Sequence, residues 1–140
     1  MTEAEAGFPE AAVAATLDAI RFNVDGLVAA IAQQHDTGEV LMMAWMNRAS
    51  VAETLRTGRV CYWSRSRRAL WRKGETSGQM QVLKRLLVDC DGDTLLLHVH
   101  QDGVACHTGR RTCFFNAATP AGVVEAEPVL VDPEQLYGQR

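Results

Sequence analysis

The chain has 140 residues, of which 47% are hydrophobic and 22% are charged, and its net charge is -3. These values predict one globular domain over residues 1–140, with flexible tails at 1–8 and 133–140. The acidic balance argues against nonspecific nucleic-acid binding, and no apolar run is long enough to span a membrane. The N-terminus begins acidic and lacks the basic region of a secretory signal, so we expect a cytoplasmic protein whose thiols stay reduced.

The first third of the chain predicts a helix followed by a hairpin. Residues 9–21 have the spacing of an amphipathic helix, with Pro9 suited to its first turn. Two apolar segments, 27–35 and 39–45, are separated by the turn signal at 36–38. This pattern favours two antiparallel strands joined by a tight turn.

A second helix follows the hairpin. It begins at a capping residue, either Asn47 or Ser50, and ends at Gly58. Extended structure resumes over residues 60–64. Cys61 lies there among apolar neighbours, far from the other thiols, and we interpret it as a packed core residue.

Residues 64–78, SRSRRALWRKGETSG, form a basic stretch in an otherwise acidic chain. A run of charge is often only a solvated surface. Arginine nevertheless presents a planar fork suited to phosphate oxygens, and hydroxyls and glycine amides add further donors. Neither a Walker loop nor a dinucleotide fingerprint is present, so the stretch predicts phosphate binding on a small substrate.

Beyond the basic stretch the chain predicts two antiparallel strands, 82–88 and 95–101. On the second strand the apolar side chains at 95, 97 and 99 share one face, and His98 and His100 share the other. Two such histidines can bind a metal, although exposed strand histidines are commoner. An edge strand is expected at 129–131.

The pentapeptide Asp-Cys-Asp-Gly-Asp at 89–93 separates these two strands. If it is extended, its three carboxylates point to one face and Cys90 points to the other. Carboxylates suit magnesium and thiolates suit zinc, so the pattern predicts two metal sites. A calcium loop is excluded, because Thr94 and His100 stand where that loop needs glycine and glutamate.

Three of the four cysteines, Cys90, Cys106 and Cys113, follow a C-x15-C-x6-C spacing. Structural zinc sites usually use C-x2-C pairs, and none is present. Three protein ligands would leave a position open for water, as in a catalytic zinc site, whereas His107 as a fourth ligand would close it. Ordinary buried cysteines explain each thiol singly but not their concentration beside the acids.

Together these stretches resemble the phosphoribosyl-AMP cyclohydrolase family of histidine biosynthesis. The matching pieces are LMMAWMN at 41–47, YWSRSR at 62–67, LWRKGETSG at 70–78, DCDGD at 89–93 and QDGVACHTGRRTCFF at 101–115. Thr112 is a departure, since the family commonly has serine there. The resemblance implies an α+β, mostly β fold, with a small barrel-like sheet capped by helix, in an intertwined homodimer.

The family's ligand sets map onto two groups of residues. The resemblance implies zinc on Cys90, Cys106 and Cys113, with the site completed across the dimer interface. It implies magnesium on Asp89, Asp91 and Asp93. The substrate contacts expected from the matching motifs are Arg65, Ser66, Arg67, Trp71, Arg72, Lys73, Glu75 and Ser77.

The implied reaction is hydrolytic opening of the adenine ring of 1-(5-phosphoribosyl)-AMP between N1 and C6, which gives the formimino intermediate ProFAR. Zinc would supply hydroxide at C6 by lowering the pKa of bound water. His107 follows a zinc thiolate, so it is the candidate general acid/base. The two phosphates of the substrate have both magnesium and the basic stretch available to hold them. The expected partner is this small nucleotide, with no nucleic acid and no membrane.

Two other functions are alternatives to ring-opening hydrolysis. A zinc-stabilised module that binds RNA or DNA would explain the thiols and arginines, but it leaves the acid triplet unexplained. The aromatic content of 6% also offers few stacking platforms for bases. A zinc nucleoside deaminase would need the H-x-E and P-C-x-x-C signature, which is absent.

Overall fold

The structure is a computed structural model, and it describes residues 7–137. The elements in chain order are α1 (Glu10–Ala19), β1 (Leu27–Gln34), β2 (Val40–Asn47), α2 (Arg48–Thr57), β3 (Cys61–Ser64), β4 (Ala69–Arg72), β5 (Gln81–Val88), β6 (Thr94–Gln101), β7 (Asn116–Thr119), β8 (Gly122–Glu125) and α3 (Pro133–Tyr137). The prediction of an α+β, mostly β fold is confirmed.

Six strands form one sheet in the order β4-β3-β2-β1-β6-β5. The predicted hairpins β1–β2 and β5–β6 are both present. The sequence did not predict that β1 and β6 lie side by side and parallel, with Ala29 opposite Thr94. That pairing joins strands from distant parts of the chain. The pentapeptide 89–93 precedes β6, and Cys106 and Cys113 follow its other end.

The sheet curls into a half-barrel, which agrees with the predicted barrel-like shape. Its last strand, β5, reaches round to the segment that precedes β3. Arg59 forms an isolated bridge with Val82, and the Leu83 N–H donates to the Gly58 carbonyl at 2.8 Å. The inward face carries Leu95, Leu97 and Val99, all fully buried, as the alternation on β6 predicted.

Helices α1 and α2 cover the core. Val13 and Leu17 of α1 and Val51 and Leu55 of α2 are buried, and burying each such side chain contributes roughly 1.5–3 kcal/mol. Helix α2 is capped at Asn47, whose side-chain oxygen accepts the Ser50 N–H at 2.9 Å. Of the two predicted caps, the structure therefore uses Asn47.

Several predictions for the ends of the chain need correction. The edge strand predicted at 129–131 is wrong; the hairpin β7–β8 lies earlier, and the N–H groups of Leu130 and Val131 both donate to the Gly109 carbonyl. A tail was predicted from residue 133, but 133–137 form α3, with Leu136 buried. Phe8 belongs to the N-terminal tail predicted at 1–8, but its N–H donates to the Leu55 carbonyl at 2.9 Å. Residues 1–6 and 138–140 lie outside the described residues.

Strand β4 was also missed, because its four residues interrupt the basic stretch without an apolar alternation. It pairs with β3 across a turn in which Arg68 adopts a left-handed conformation, with φ of 53°. The basic stretch is therefore a hairpin followed by a loop. None of the helices within residues 7–137 is both long and apolar enough to cross a membrane.

Candidate active site

Two of the predicted zinc ligands, Cys106 and Cys113, lie together in the segment after β6, residues 102–113, which we call the thiol loop. The loop turns back on itself, because the Cys106 N–H donates to the Arg110 carbonyl at 3.1 Å. Cys113 is anchored by its own N–H, which donates to the Leu41 carbonyl of β2 at 2.7 Å. The charge of Cys106 acts on the Cys113 thiol, so the two side chains are neighbours.

The thiol pair has donors around it. The Thr108 hydroxyl donates to the Cys106 sulfur at 3.1 Å. The Lys73 side chain is only 5% exposed, and its ammonium donates to the Ala105 carbonyl at 2.9 Å. Burial lowers the pKa of Lys73, and the charges of Cys113 and Cys106 act in the opposite direction. The Lys73 charge acts to lower the pKa of Cys113, although less strongly than burial acts to raise it.

Without a metal, loss of the Cys113 proton is disfavoured. Although part of Cys113 is exposed, burial of its thiol, and then the neighbouring charge of Cys106, raise its pKa to about 12. A divalent soft cation would replace these protons, as coordinated thiols are deprotonated. The chemistry of this pair therefore fits zinc.

Cys90, the third predicted ligand, lies elsewhere. It belongs to the turn before β6, whereas Cys106 follows the other end of that strand. Eight residues of β6 span about 25 Å at the usual strand rise, and two thiolates on one zinc lie about 4 Å apart. Within the described chain the three thiols do not form a common cluster.

The three acids come together, but not in the way the sequence predicted. Residues 89–93, which we call the acid turn, form a tight turn rather than an extended strand. Gly92 has φ of 77°, and its N–H donates to the Asp89 carbonyl at 3.0 Å. One carboxylate oxygen from each of Asp89, Asp91 and Asp93 then lies within 4.8 Å of the others.

The carboxylates of the acid turn shift one another's pKa values. Desolvation acts to raise the pKa of Asp89, but the N–H groups of Asp93 and Thr94 outweigh it and lower this pKa. The hydrogen bond to Asp89, and then its charge, raise the pKa of Asp93. Carboxylates this close repel one another, so a hard cation would be stabilised here. Oxygen ligands in this number fit magnesium.

A cavity of about 460 Å³ lies beside the thiol loop, within the size range of ligand pockets. It brings His107 together with five of the eight predicted substrate contacts. Its described lining residues are Arg67, Trp71, Lys73, Gly74, Glu75, Thr76, Ser77, His107 and Tyr137. We call it the His107 cavity. Its lining combines cationic, hydroxyl and aromatic side chains with a histidine.

The other three predicted contacts lie outside the His107 cavity. The Arg72 guanidinium forms two hydrogen bonds with the Glu53 carboxylate, both at 2.8 Å. Arg65 stacks over the Trp45 ring at 5.0 Å and lines a separate cavity. Ser66 lies in the β3–β4 turn, 3.4 Å from the Ser64 hydroxyl. The hairpin therefore divides the basic stretch between different surfaces.

A buried polar network beneath the thiol loop was missed from the sequence. The Tyr62 hydroxyl donates to Gln81 at 2.7 Å, and the Gln81 amide donates to Gln101 at 2.8 Å. Gln79 continues the support, since its side-chain oxygen accepts the Val104 N–H at 2.9 Å. Burial raises the pKa of Tyr62, which keeps its hydroxyl a donor. The sequence signal that could have predicted this network is the presence of Gln81 and Gln101 at inward-facing positions of β5 and β6.

Cys61, the fourth thiol, is fully buried, as the sequence predicted. Its N–H donates to the Thr54 hydroxyl at 2.9 Å. Burial, followed by the charge of Glu53, raises the pKa of its thiol to about 12. It is a core residue.

Comparison with known proteins identifies the family. The family model described as Phosphoribosyl-AMP cyclohydrolase matches residues 42–115. The protein of that name from Paramagnetospirillum magneticum is 73% identical over 124 residues, covering 89% of this chain and 94% of that protein. The one from Granulibacter bethesdensis is 68% identical over 123 residues, covering 86% and 95%. That from Halorhodospira halophila is 65% identical over 124 residues, covering 89% and 87%.

The family model and these relatives identify the chain as a hydrolase. More specifically, the chain belongs to the phosphoribosyl-AMP cyclohydrolase family.

Proposed function

We propose that this chain hydrolyses 1-(5-phosphoribosyl)-AMP, opening its adenine ring between N1 and C6 to give ProFAR in histidine biosynthesis. The observation that carries the proposal is the convergence of His107 and the basic stretch on one cavity beside the thiol pair. Relatives named for this activity cover most of the chain. A cytoplasmic location would keep these thiols reduced and able to bind a metal.

The reaction balances with water alone. Water adds to C6, the C6–N1 bond breaks, and N1 gains a proton, which leaves a carboxamide and a formimino group. An adenine substituted at N1 can carry positive charge, so its C6 is a better electrophile than that of AMP. No oxidant or second substrate is needed.

We propose that zinc is held by Cys106 and Cys113 of one chain and by Cys90 of a second copy. The placement of Cys90 and Cys106 at opposite ends of β6 supports this arrangement, because one chain cannot bring them to one ion without refolding. Such a site makes the homodimer part of the active site. The chemistry that zinc supplies when bound is a lowered pKa of water, which provides a nucleophile near neutral pH.

The chain's own residues would prepare this site. The Thr108 hydroxyl orients the Cys106 sulfur, and the buried Lys73 ammonium offsets the negative charge of the thiolates. The network from Tyr62 through Gln81 and Gln101 holds the start of the thiol loop in place. Partners of this kind commonly change metal affinity or activity by roughly 10- to 100-fold when they are removed.

His107 is proposed as the group that moves protons. It lines the cavity, and it follows Cys106 directly in the chain. An imidazole can accept the proton of the attacking water and return one to N1 at neutral pH. If His107 were instead a fourth zinc ligand, proton transfer would have no general acid/base, and the coordination position that water needs would be closed.

Phosphate binding is proposed for two surfaces. Arg67, Ser77 and the Gly74 backbone line the His107 cavity and offer donors to phosphate oxygens. The acid turn would hold magnesium through Asp89, Asp91 and Asp93, and magnesium commonly bridges carboxylates to substrate phosphates. Arg72 is less suited to this role, since Glu53 already pairs with it.

The direct test combines metal analysis with a ring-opening assay on the same purified protein. We expect zinc near one per chain, magnesium-dependent turnover of phosphoribosyl-AMP, and no deamination of adenosine. Zinc without turnover, together with salt-sensitive binding of random oligonucleotides, would overturn the proposal in favour of a nucleic-acid-binding module.

A further inference from the structure

The described C-terminal segment, residues 127–137, lies across the thiol loop, and we call it the C-terminal strap. The Arg110 side chain donates from Nε to the Glu127 carbonyl at 3.0 Å. Further along, the N–H groups of Leu130 and Val131 donate to the Gly109 carbonyl at 2.8 and 3.1 Å. Three hydrogen bonds therefore tie the strap to the loop that carries two of the proposed zinc ligands.

Gly109 allows this close approach. It has φ of 86°, and a Cβ at this position would lie 1.8 Å from the Val131 carbonyl oxygen. Any other residue would push the strap away from the loop or strain the backbone. The contact is therefore built into the loop sequence itself.

The strap ends in α3, which returns the chain to the His107 cavity. The Asp132 carboxylate accepts the Glu134 N–H at 3.0 Å, and its carbonyl accepts the Gln135 N–H at 2.8 Å. Leu136 is buried and anchors the short helix. The next residue, Tyr137, lines the cavity together with His107.

Tyr137 faces a cavity whose lining is otherwise mostly polar. Trp71 and Tyr137 are its two large aromatic side chains among the described lining residues. The Trp71 ring is held by its neighbours, since its centre lies 5.5 Å from that of the Tyr62 ring and 5.7 Å from the Lys73 ammonium. A flat purine needs apolar faces to stack on, and these two rings supply them beside the proton-transfer group.

We propose that Tyr137 is a substrate-binding residue whose ring stacks on the purine of the nucleotide and holds C6 towards His107. This inference rests on the proposed function. It adds a contact from outside residues 42–115, where the family model matches. Stacking is present in both the bound substrate and the transition state, so its loss should raise KM and leave kcat nearly unchanged.

The test compares four variants of the full chain: Tyr137→Ala, Tyr137→Leu, Tyr137→Phe and Leu130→Ala. Leu130 is the matched control, because it lies on the same strap and is exposed. Loss of one base–aromatic stack predicts a rise in KM of about 5- to 150-fold for Tyr137→Ala. Tyr137→Leu, which keeps apolar volume without a ring, should show a similar rise. Tyr137→Phe and Leu130→Ala should keep the wild-type KM, and all four should keep zinc.

Four results would overturn the inference while leaving the proposed function intact. The first three are a wild-type KM in Tyr137→Ala and Tyr137→Leu, a rise in KM in Leu130→Ala as large as in Tyr137→Ala, and loss of zinc in the Tyr137 variants, which would mark a structural role. The fourth is a KM in Tyr137→Phe raised as far as in Tyr137→Ala, because the hydroxyl rather than the ring would then be the contact. A wild-type protein that does not turn over phosphoribosyl-AMP would instead overturn the proposed function, and this inference with it.

Discussion

The two ends of β6 hold their metal-ligand candidates in opposite ways. At the N-terminal end the acid turn is closed by its own hydrogen bonds, since the Asp89 carboxylate accepts the N–H groups of Asp93 and Thr94 at 3.0 and 3.3 Å. Most of its hydrogen bonds are local, although the Gly92 carbonyl also accepts the Arg21 N–H at 2.7 Å. Its three acids are exposed.

At the C-terminal end the thiol loop is held from distant parts of the chain. Lys73, within the basic stretch, donates to the loop backbone, the Leu41 carbonyl accepts from it, and Arg111 pairs with Glu39 at 3.0 Å. Cys106 is only 4% exposed. The comparison teaches that the carboxylate site is decided mainly by one hairpin turn, whereas the thiol site depends on contacts from several distant segments of the sheet.

The largest expected effect separates the two kinds of thiol. Cys106→Ala should abolish both zinc binding and activity, because one proposed ligand of the metal is lost. The matched control is Cys61→Ala, which should keep zinc and activity and cost only about 1 kcal/mol of stability as a small core truncation. Zinc per chain, turnover and a denaturation curve on each variant check this. Loss of zinc in Cys61→Ala would show that the ligand set is wrong.

His107→Asn tests whether the residue beside Cys106 moves protons or binds metal. As a general acid/base it should lower kcat by about 10²–10⁴-fold, with zinc retained and KM nearly unchanged. As a fourth zinc ligand it should weaken or abolish metal binding instead. Zinc content and kcat measured on one preparation distinguish the two. Full zinc with an undiminished kcat would rule out both roles.

Asp91→Asn probes the independence of the acid turn. Removing one of three carboxylate ligands should raise the magnesium concentration for half-maximal activity on the order of tenfold, while zinc stays near one per chain. Asp102→Asn is the matched control, because Asp102 pairs with His100 at 3.2 Å and lies outside the acid cluster. Loss of zinc along with the magnesium dependence would show that the two sites are not separate.

The features that the sequence predicted are those decided by neighbouring residues. The turn at 36–38, the cap at Asn47 and the stop at Gly58 each depend on a few adjacent side chains, and all three are present. The clustering of the acids was also predicted. Its extended geometry was not correct, because Gly92 with its positive φ closes a turn.

The features that the sequence did not predict depend on contacts between distant segments. The parallel pairing of β1 with β6 joins residues more than sixty positions apart. Arg72 could be counted among the phosphate ligands only until its pairing with Glu53 across the fold was visible. The docking of the strap on Gly109 likewise requires knowledge of where both segments lie.

The central claim is that the thiols at the two ends of β6 meet only between two copies of the chain. The most direct test mixes Cys90→Ala with Cys106→Ala, each inactive alone, after co-refolding in equal amounts. Random pairing makes half of the dimers mixed, and each mixed dimer has one intact site of two, so about a quarter of the wild-type activity and zinc should return. No recovery in verified mixed dimers, or full activity in a stable monomer, would contradict a shared site.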